Sequence, residues 1–168
     1  MLLALGETQI PKALDQLYES HHAMVFRTAY RVTGNAADAE DVMQTVFLRV
    51  LRREGQDRDE IENPEGYLRR SAVNAALDVV RARHDSGTLE PEKMAASATC
   101  TDLRELRDSL RRALAKLPAR TAEMFAMRFF EGFTNPEIAK MMGLSQILVA
   151  VTLHRARRKL QKEMGGVR

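Results

Sequence analysis

The sequence predicts an all-α fold: two small helical domains joined by a linker, the second a four-helix module. Three features carry this expectation. Apolar residues recur at spacings of three and four along nearly the whole chain, and strand-like alternation is almost absent. Aromatic residues make up 5% of the 168 and Trp is absent, which is thin for a sheet protein and suits helices built on Leu, Ala, Met and Arg. Between two periodic regions lies a stretch rich in Ser, Gly, Pro, Thr, Ala and Glu that carries no sustained apolar stripe. The expected units are therefore residues 9–85, a linker at 86–101, and residues 102–164.

In the first unit, a helix is expected from Pro11, suited to a first turn, to Thr33, with Gly34 ending it. Leu14, Leu17, Tyr18, Met24, Val25, Ala29 and Val32 form its stripe. Asn35 is placed to cap a second helix, with Asp38 in the first turn and Ala39, Val42, Met43, Val46, Phe47, Val50 and Leu51 facing inward. The acidic stretch from Glu54 to Glu62 reads as a loop. Asn63-Pro64 starts a third helix, in which Leu68, Ala72, Ala75, Ala76, Val79 and Val80 point inward and Arg69, Arg70, Asn74, Arg81 and Arg83 are polar neighbours. Three such helices can enclose a small core.

The second unit opens on the stripe Leu103, Leu106, Leu110, Ala113, Leu114 and Leu117, broken by Pro118. A helix over residues 119–130 follows, closed by Gly132. A short one starts at Asn135-Pro136 and ends at Gly143. A last one, capped by Ser145, runs to about Met164.

Composition narrows the function. Cys100 is the one cysteine, so no internal disulfide forms and the cytoplasm is the expected compartment. The apolar start, Met1 to Leu5, is too short for a signal peptide, no later run reaches membrane-spanning length, and no membrane insertion is expected. The four histidines, His21, His22, His84 and His154, make no metal-ligand cluster. With no Gly-rich phosphate loop and no nucleophile-and-base arrangement, neither an enzyme nor a cofactor is expected. Net charge is +3, unevenly placed: residues 101–168 carry 14 Lys+Arg against 7 Asp+Glu, whereas residues 1–100 carry 12 against 16. A basic C-terminal unit points to a polyanion.

The last two helices form a helix-turn-helix pattern: residues 136–142, a turn at Gly143-Leu144-Ser145, and a helix from Gln146. Ile138, Ala139 and Met142 are expected to face Val149 and Leu153. With Val149, Leu153, Ala156 and Leu160 inward, 100° per residue sends Ile147, Val151, His154 and Arg158 outward, flanked by Ala150 and Arg155. The outward face is suited to a major groove, and the basic residues to phosphates.

Asp38-Ala-Glu-Asp-Val-Met-Gln-Thr-Val-Phe47, Tyr67-Leu-Arg-Arg-Ser-Ala-Val-Asn74 with Asp78 and Arg81, Leu114-Ala-Lys-Leu-Pro118 with Phe125, Arg128, Phe129, Glu131-Gly132 and Glu137-Ile-Ala139, and His154-Arg-Ala-Arg157 together resemble the extracytoplasmic-function sigma factors of bacterial RNA polymerase. The resemblance implies a transcription initiation factor with RNA polymerase core, promoter DNA and an anti-sigma protein as partners. It implies that Asp38, Asp41 and Gln44 dock on a coiled coil of the polymerase's largest subunit. It further implies that the loop before Asn63 and the helix bearing Arg69, Arg70, Asn74, Arg81 and Arg83 engage the −10 element. The −35 element would fall to Gln146, Ile147, Ala150, Val151, His154, Arg155 and Arg158.

One departure stands out. Members often carry Thr-Val-Lys-Ser-Arg where this chain has Leu148, Val149, Ala150, Val151 and Thr152. Two other readings stay open on the sequence: a helix-turn-helix regulator acting without polymerase core, and a helical polymerase-binding protein that does not read DNA.

Overall fold

A computed structural model describes residues 12–54, 62–87 and 98–165. Pro11, most of the expected acidic loop, and residues 88–97 of the expected linker lie outside the described residues. Within them are seven α-helices and no strand: α1 (Lys12–Thr33), α2 (Ala36–Glu54), α3 (Pro64–Asp85), α4 (Ala98–Ala115), α5 (Ala119–Phe129), α6 (Asn135–Met142) and α7 (Gln146–Gly165).

The local signals explain the ends. Gly34 adopts φ +68° behind α1, a conformation that costs glycine little. Asn35 Oδ1 accepts the Asp38 amide at 3.0 Å, and Asn63 Oδ1 accepts the Gly66 amide at 2.9 Å, so both expected asparagines cap. The α1 stripe buries Leu14, Val25, Ala29 and Val32, and the α2 stripe buries Ala39, Val42, Val46, Phe47 and Val50. Both pack on α3, whose Leu68, Ala72, Val73, Ala76, Leu77 and Val80 complete the first core.

The second module is assembled around α7. Its Val149, Leu153, Ala156 and Leu160 are all buried, as the helical spacing predicts. They meet α4, α5 and α6, which bury Leu114, Met127, Ile138 and Met142, and Leu117 between α4 and α5 is buried as well.

Two expectations are corrected here. Helix α4 begins at Ala98, inside the segment expected as linker. Its stripe buries only from Ala113 onward: Leu110 is half-buried, and Leu103 and Leu106 are 58% and 53% exposed. The cause is lateral: helical periodicity marks an apolar face but does not say how far along the helix a neighbour extends. The two modules are in contact, α3 packing against both α4 and α5.

Candidate nucleic-acid interface

Three residues separate α6 from α7, and the helices are bent by 109° across them, within the range of a helix-turn-helix. Thr134 is the N-cap of α6, one residue ahead of the expected start. Its hydroxyl accepts the Glu137 amide at 3.4 Å, and Glu137 Oε2 accepts the Thr134 amide at 2.7 Å. This reciprocal box follows the Thr-x-x-Glu spacing, a signal that would have located the cap. Gly143 closes α6 at φ 64°, ψ 40°. Ser145 Oγ then accepts the Leu148 amide at 3.2 Å and starts α7.

The cap and the inner stripe fix which way α7 presents its outer face. Gln146, Ile147, Ala150, Val151, His154, Arg155 and Arg158 are all exposed, Ile147 at 78%. Leu148 is also 48% exposed, beyond the outward set that the helical spacing predicts. Apolar side chains lead at the helix start and basic ones follow.

The polar residues of the first module are arranged differently. Asp41 and Gln44 are exposed on α2, and Gln44 borders a shallow groove with His22, Phe26, Glu40 and Met43. Asp38 does not join that surface. It is 8% exposed, and Arg83 Nη2 donates to its Oδ1 at 2.6 Å. Asp38 is therefore turned into the module, against the expectation that it docks a partner, and Arg83, still partly exposed, is tied to it.

Three more of the residues expected at the −10 element meet the second module. Arg70 Nε donates to Glu123 Oε1 at 2.6 Å, and Asn74 Nδ2 donates to the same oxygen at 3.1 Å. Arg70 also donates to the Met141 carbonyl. Arg69 pairs with Glu65 at 2.7 Å and approaches Glu131 at 3.7 Å. Arg81 pairs within its own helix, with Asp78 at 3.4 Å. Glu123 and Glu131 are thus the polar residues that sequence reasoning missed. For Glu123 a signal existed: a carboxylate inside the run Ala122-Glu-Met-Phe-Ala-Met127, every residue of which is buried, implies a buried cationic partner.

Among the described residues no group of His, Cys, Asp and Glu is arranged to hold a metal ion. None of their helices is by itself long and apolar enough to cross a membrane.

Comparison with known proteins matches both halves of this arrangement. Residues 17–85 match the sigma-70 region 2 family and residues 107–160 match sigma-70, region 4. RNA polymerase sigma factor CarQ of Myxococcus xanthus is 31% identical over 157 residues, covering 91% of this chain and 90% of that relative. The chain belongs to the extracytoplasmic-function sigma factors. A second member, ECF RNA polymerase sigma factor SigE of Mycolicibacterium smegmatis, is 30% identical over 167 residues. The match takes in 94% of this chain but 64% of SigE, so the chain spans less than two thirds of that relative. The fold of this sigma-family chain is also that of CnrH, solved in complex with the cytosolic domain of CnrY. The TM-score is 0.57 at 23% identity, covering 93% of this chain and 90% of CnrH.

Proposed function

We propose that this chain is a transcription initiation factor that joins RNA polymerase core to promoter DNA and helps hold a −10 segment open, without catalysis of its own. Residues 9–85 form the polymerase-docking and −10 module, residues 86–101 connect, and residues 102–164 form the −35 module. Asp41 and Gln44 dock on the polymerase. Arg69, Arg70, Asn74 and Arg81 follow the −10 strand, where unstacked bases are read in single-stranded form. Asp38 and Arg83 hold α2 and α3 in register behind those surfaces. Gln146, Ile147, Ala150, Val151, His154, Arg155 and Arg158 meet the −35 duplex. The protein works in the cytoplasm, needs no metal or cofactor, and is held in check by an anti-sigma protein.

The observation that carries this reading is the α6–α7 unit in a sigma-family chain: a right-angled helix pair whose exposed side begins apolar and ends basic. The test is run-off transcription with purified core polymerase and a promoter library. Added chain should create promoter-specific transcripts, while the free chain binds the same duplexes weakly. Tight, specific duplex binding by the free chain, unchanged by core enzyme, would leave a helix-turn-helix regulator instead. One observation favours a second reading, a protein that binds polymerase without reading DNA. Ile147, Leu148 and Val151 make an exposed apolar start to α7, and such patches often mark protein contacts.

A further inference from the structure

In the free chain the two modules are joined by three contacts, two of which engage groups assigned above to the −10 strand: Arg69, Arg70 and Asn74. Glu131 is the centre of the first contact. Its side chain is fully buried, accepting from Thr28 Oγ1 at 2.9 Å and from Arg31 Nη1 at 2.9 Å, with Arg69 at 3.7 Å. Arg27 lines the same cleft. Two guanidinium groups therefore meet the buried carboxylate, with the third cation of Arg27 at the edge of the same cleft. Glu123 is the second, holding Arg70 and Asn74. The third runs the opposite way. Arg111 of α4 donates Nε to the Val32 carbonyl at the C-terminus of α1, at 3.0 Å, and its guanidinium lies against Gly34. A cation there satisfies a terminal carbonyl and the negative end of the helix.

We propose that Glu123, Glu131 and Arg111 form an autoinhibitory latch, in which two carboxylates of the second module stand where nucleic-acid phosphates bind the first. The inference rests on the assignment of α3 to the −10 strand. A carboxylate and a phosphate compete for the same guanidinium geometry, so phosphate engagement and closure exclude one another. Opening leaves Glu123 and Glu131 in water and frees Arg70 and Asn74, while Arg69 keeps its pair with Glu65 inside α3 and loses only Glu131. The apparent affinity of the free chain for single-stranded DNA is then reduced by the fraction of molecules that are open.

The test uses the full chain without polymerase and a fluorescent single-stranded oligonucleotide, followed by anisotropy. The Glu123→Gln, Glu131→Gln double variant is compared with Glu19→Gln, Glu105→Gln, which removes the same charge from exposed positions. Gly34→Ala is the charge-neutral variant, because its new Cβ would overlap the Arg111 guanidinium and unseat it. Circular dichroism establishes that each variant is folded. Dyes at Leu48→Cys and Lys162→Cys, in a Cys100→Ser chain, report module separation by energy transfer.

Both latch variants should bind about tenfold more tightly than wild type, the gain expected when an open fraction of about one tenth becomes the whole population. The exposed control should gain much less. Transfer should fall in both latch variants without DNA, and in wild type as oligonucleotide is added. Constant transfer in the wild-type chain at saturating oligonucleotide overturns the latch, even if a variant is unfolded. So does a latch-variant gain matched by the control. Run-off transcription with core polymerase is scored separately, so failure of the latch and failure of the sigma reading give different results.

Discussion

Asp38 at the start of α2 and Arg83 near the end of α3 meet at 2.6 Å across 45 residues of sequence. The carboxylate also sits in the first turn of α2, where a negative charge opposes the helix dipole. Its side chain is 11% exposed and that of Arg83 is 39% exposed, so solvent screens the pair on one side. Asp38→Ala should cost about 1–2 kcal/mol, the range for a charge-assisted bond discounted for screening. Asp41→Ala with Gln44→Ala should leave the melting temperature unchanged and weaken capture by core polymerase. Thermal melts and a polymerase pull-down on the same samples separate the two. Full polymerase binding by the Asp41/Gln44 variant would remove the proposed docking face.

Gly143 isolates the contribution of backbone conformation in the helix-turn-helix. It sits at φ +64°, yet a Cβ built there meets nothing within 4 Å. Gly143→Ala therefore carries no steric clash with neighbours, and its cost is the left-handed conformation alone, about 1–2 kcal/mol. For a module of this size that lowers the melting temperature by about 4–8 °C per kcal/mol. A change within measurement error would mean that the turn relaxes to another conformation.

Glu137 supplies a pH dependence with a definite sign. The Thr134 backbone N–H, and after it the Thr134 hydroxyl, hold its carboxyl below the ordinary 4.5. A carboxyl depressed in the folded state stabilises fully above its unfolded value, and that stability is lost as pH falls through the folded value. Gln at this position keeps a capping partner without a titrating charge. The wild-type advantage over Glu137→Ala should therefore shrink as pH falls below 4.5, while the difference between Glu137→Gln and Glu137→Ala stays constant. Melting curves of the three proteins across the acid range decide this, and a wild-type advantage that does not shrink contradicts the capping role.

Helix order, both asparagine caps, the Gly143 turn and the inner face of α7 were legible in the sequence because each depends on residues within a few positions of one another. What was not legible depends on distant partners. Periodicity places Leu103 and Leu106 on an apolar face, but nothing local reveals that the described helices leave that end of α4 uncovered. Arg70 and Asn74 read as a polar helix face. That they converge on Glu123, about fifty residues away, depends on how the modules pack. Arg83 shows the same limit: its type and position allow a phosphate or a carboxylate, and only the fold brings Asp38 beside it.

The apolar start of α7 leads to the prediction that most directly tests DNA reading. Ile147 and Val151 stand outward on the face opposite Val149, Leu153, Ala156 and Leu160, at 78% and 40% exposure. Neither side chain can donate a hydrogen bond to guanine, but both can lie against thymine methyl groups in a major groove. Arg155 and Arg158 lie farther along the helix, where they contribute phosphate contacts that carry no sequence information. The two sets of residues should therefore fail differently. In complex with core polymerase, Ile147→Ser with Val151→Ser should relax the preference for thymine-containing −35 sequences by about 1–3 kcal/mol, the usual cost per base pair. The salt dependence should not change. Arg155→Ala with Arg158→Ala should weaken binding to all promoters alike and reduce the slope of log affinity against log salt by about one per residue. Promoter-library transcription and salt titrations measure both. If the serine pair leaves promoter choice intact but abolishes binding to a polymerase subunit or an anti-sigma protein, the exposed face is a protein-docking surface and the base-reading assignment is wrong.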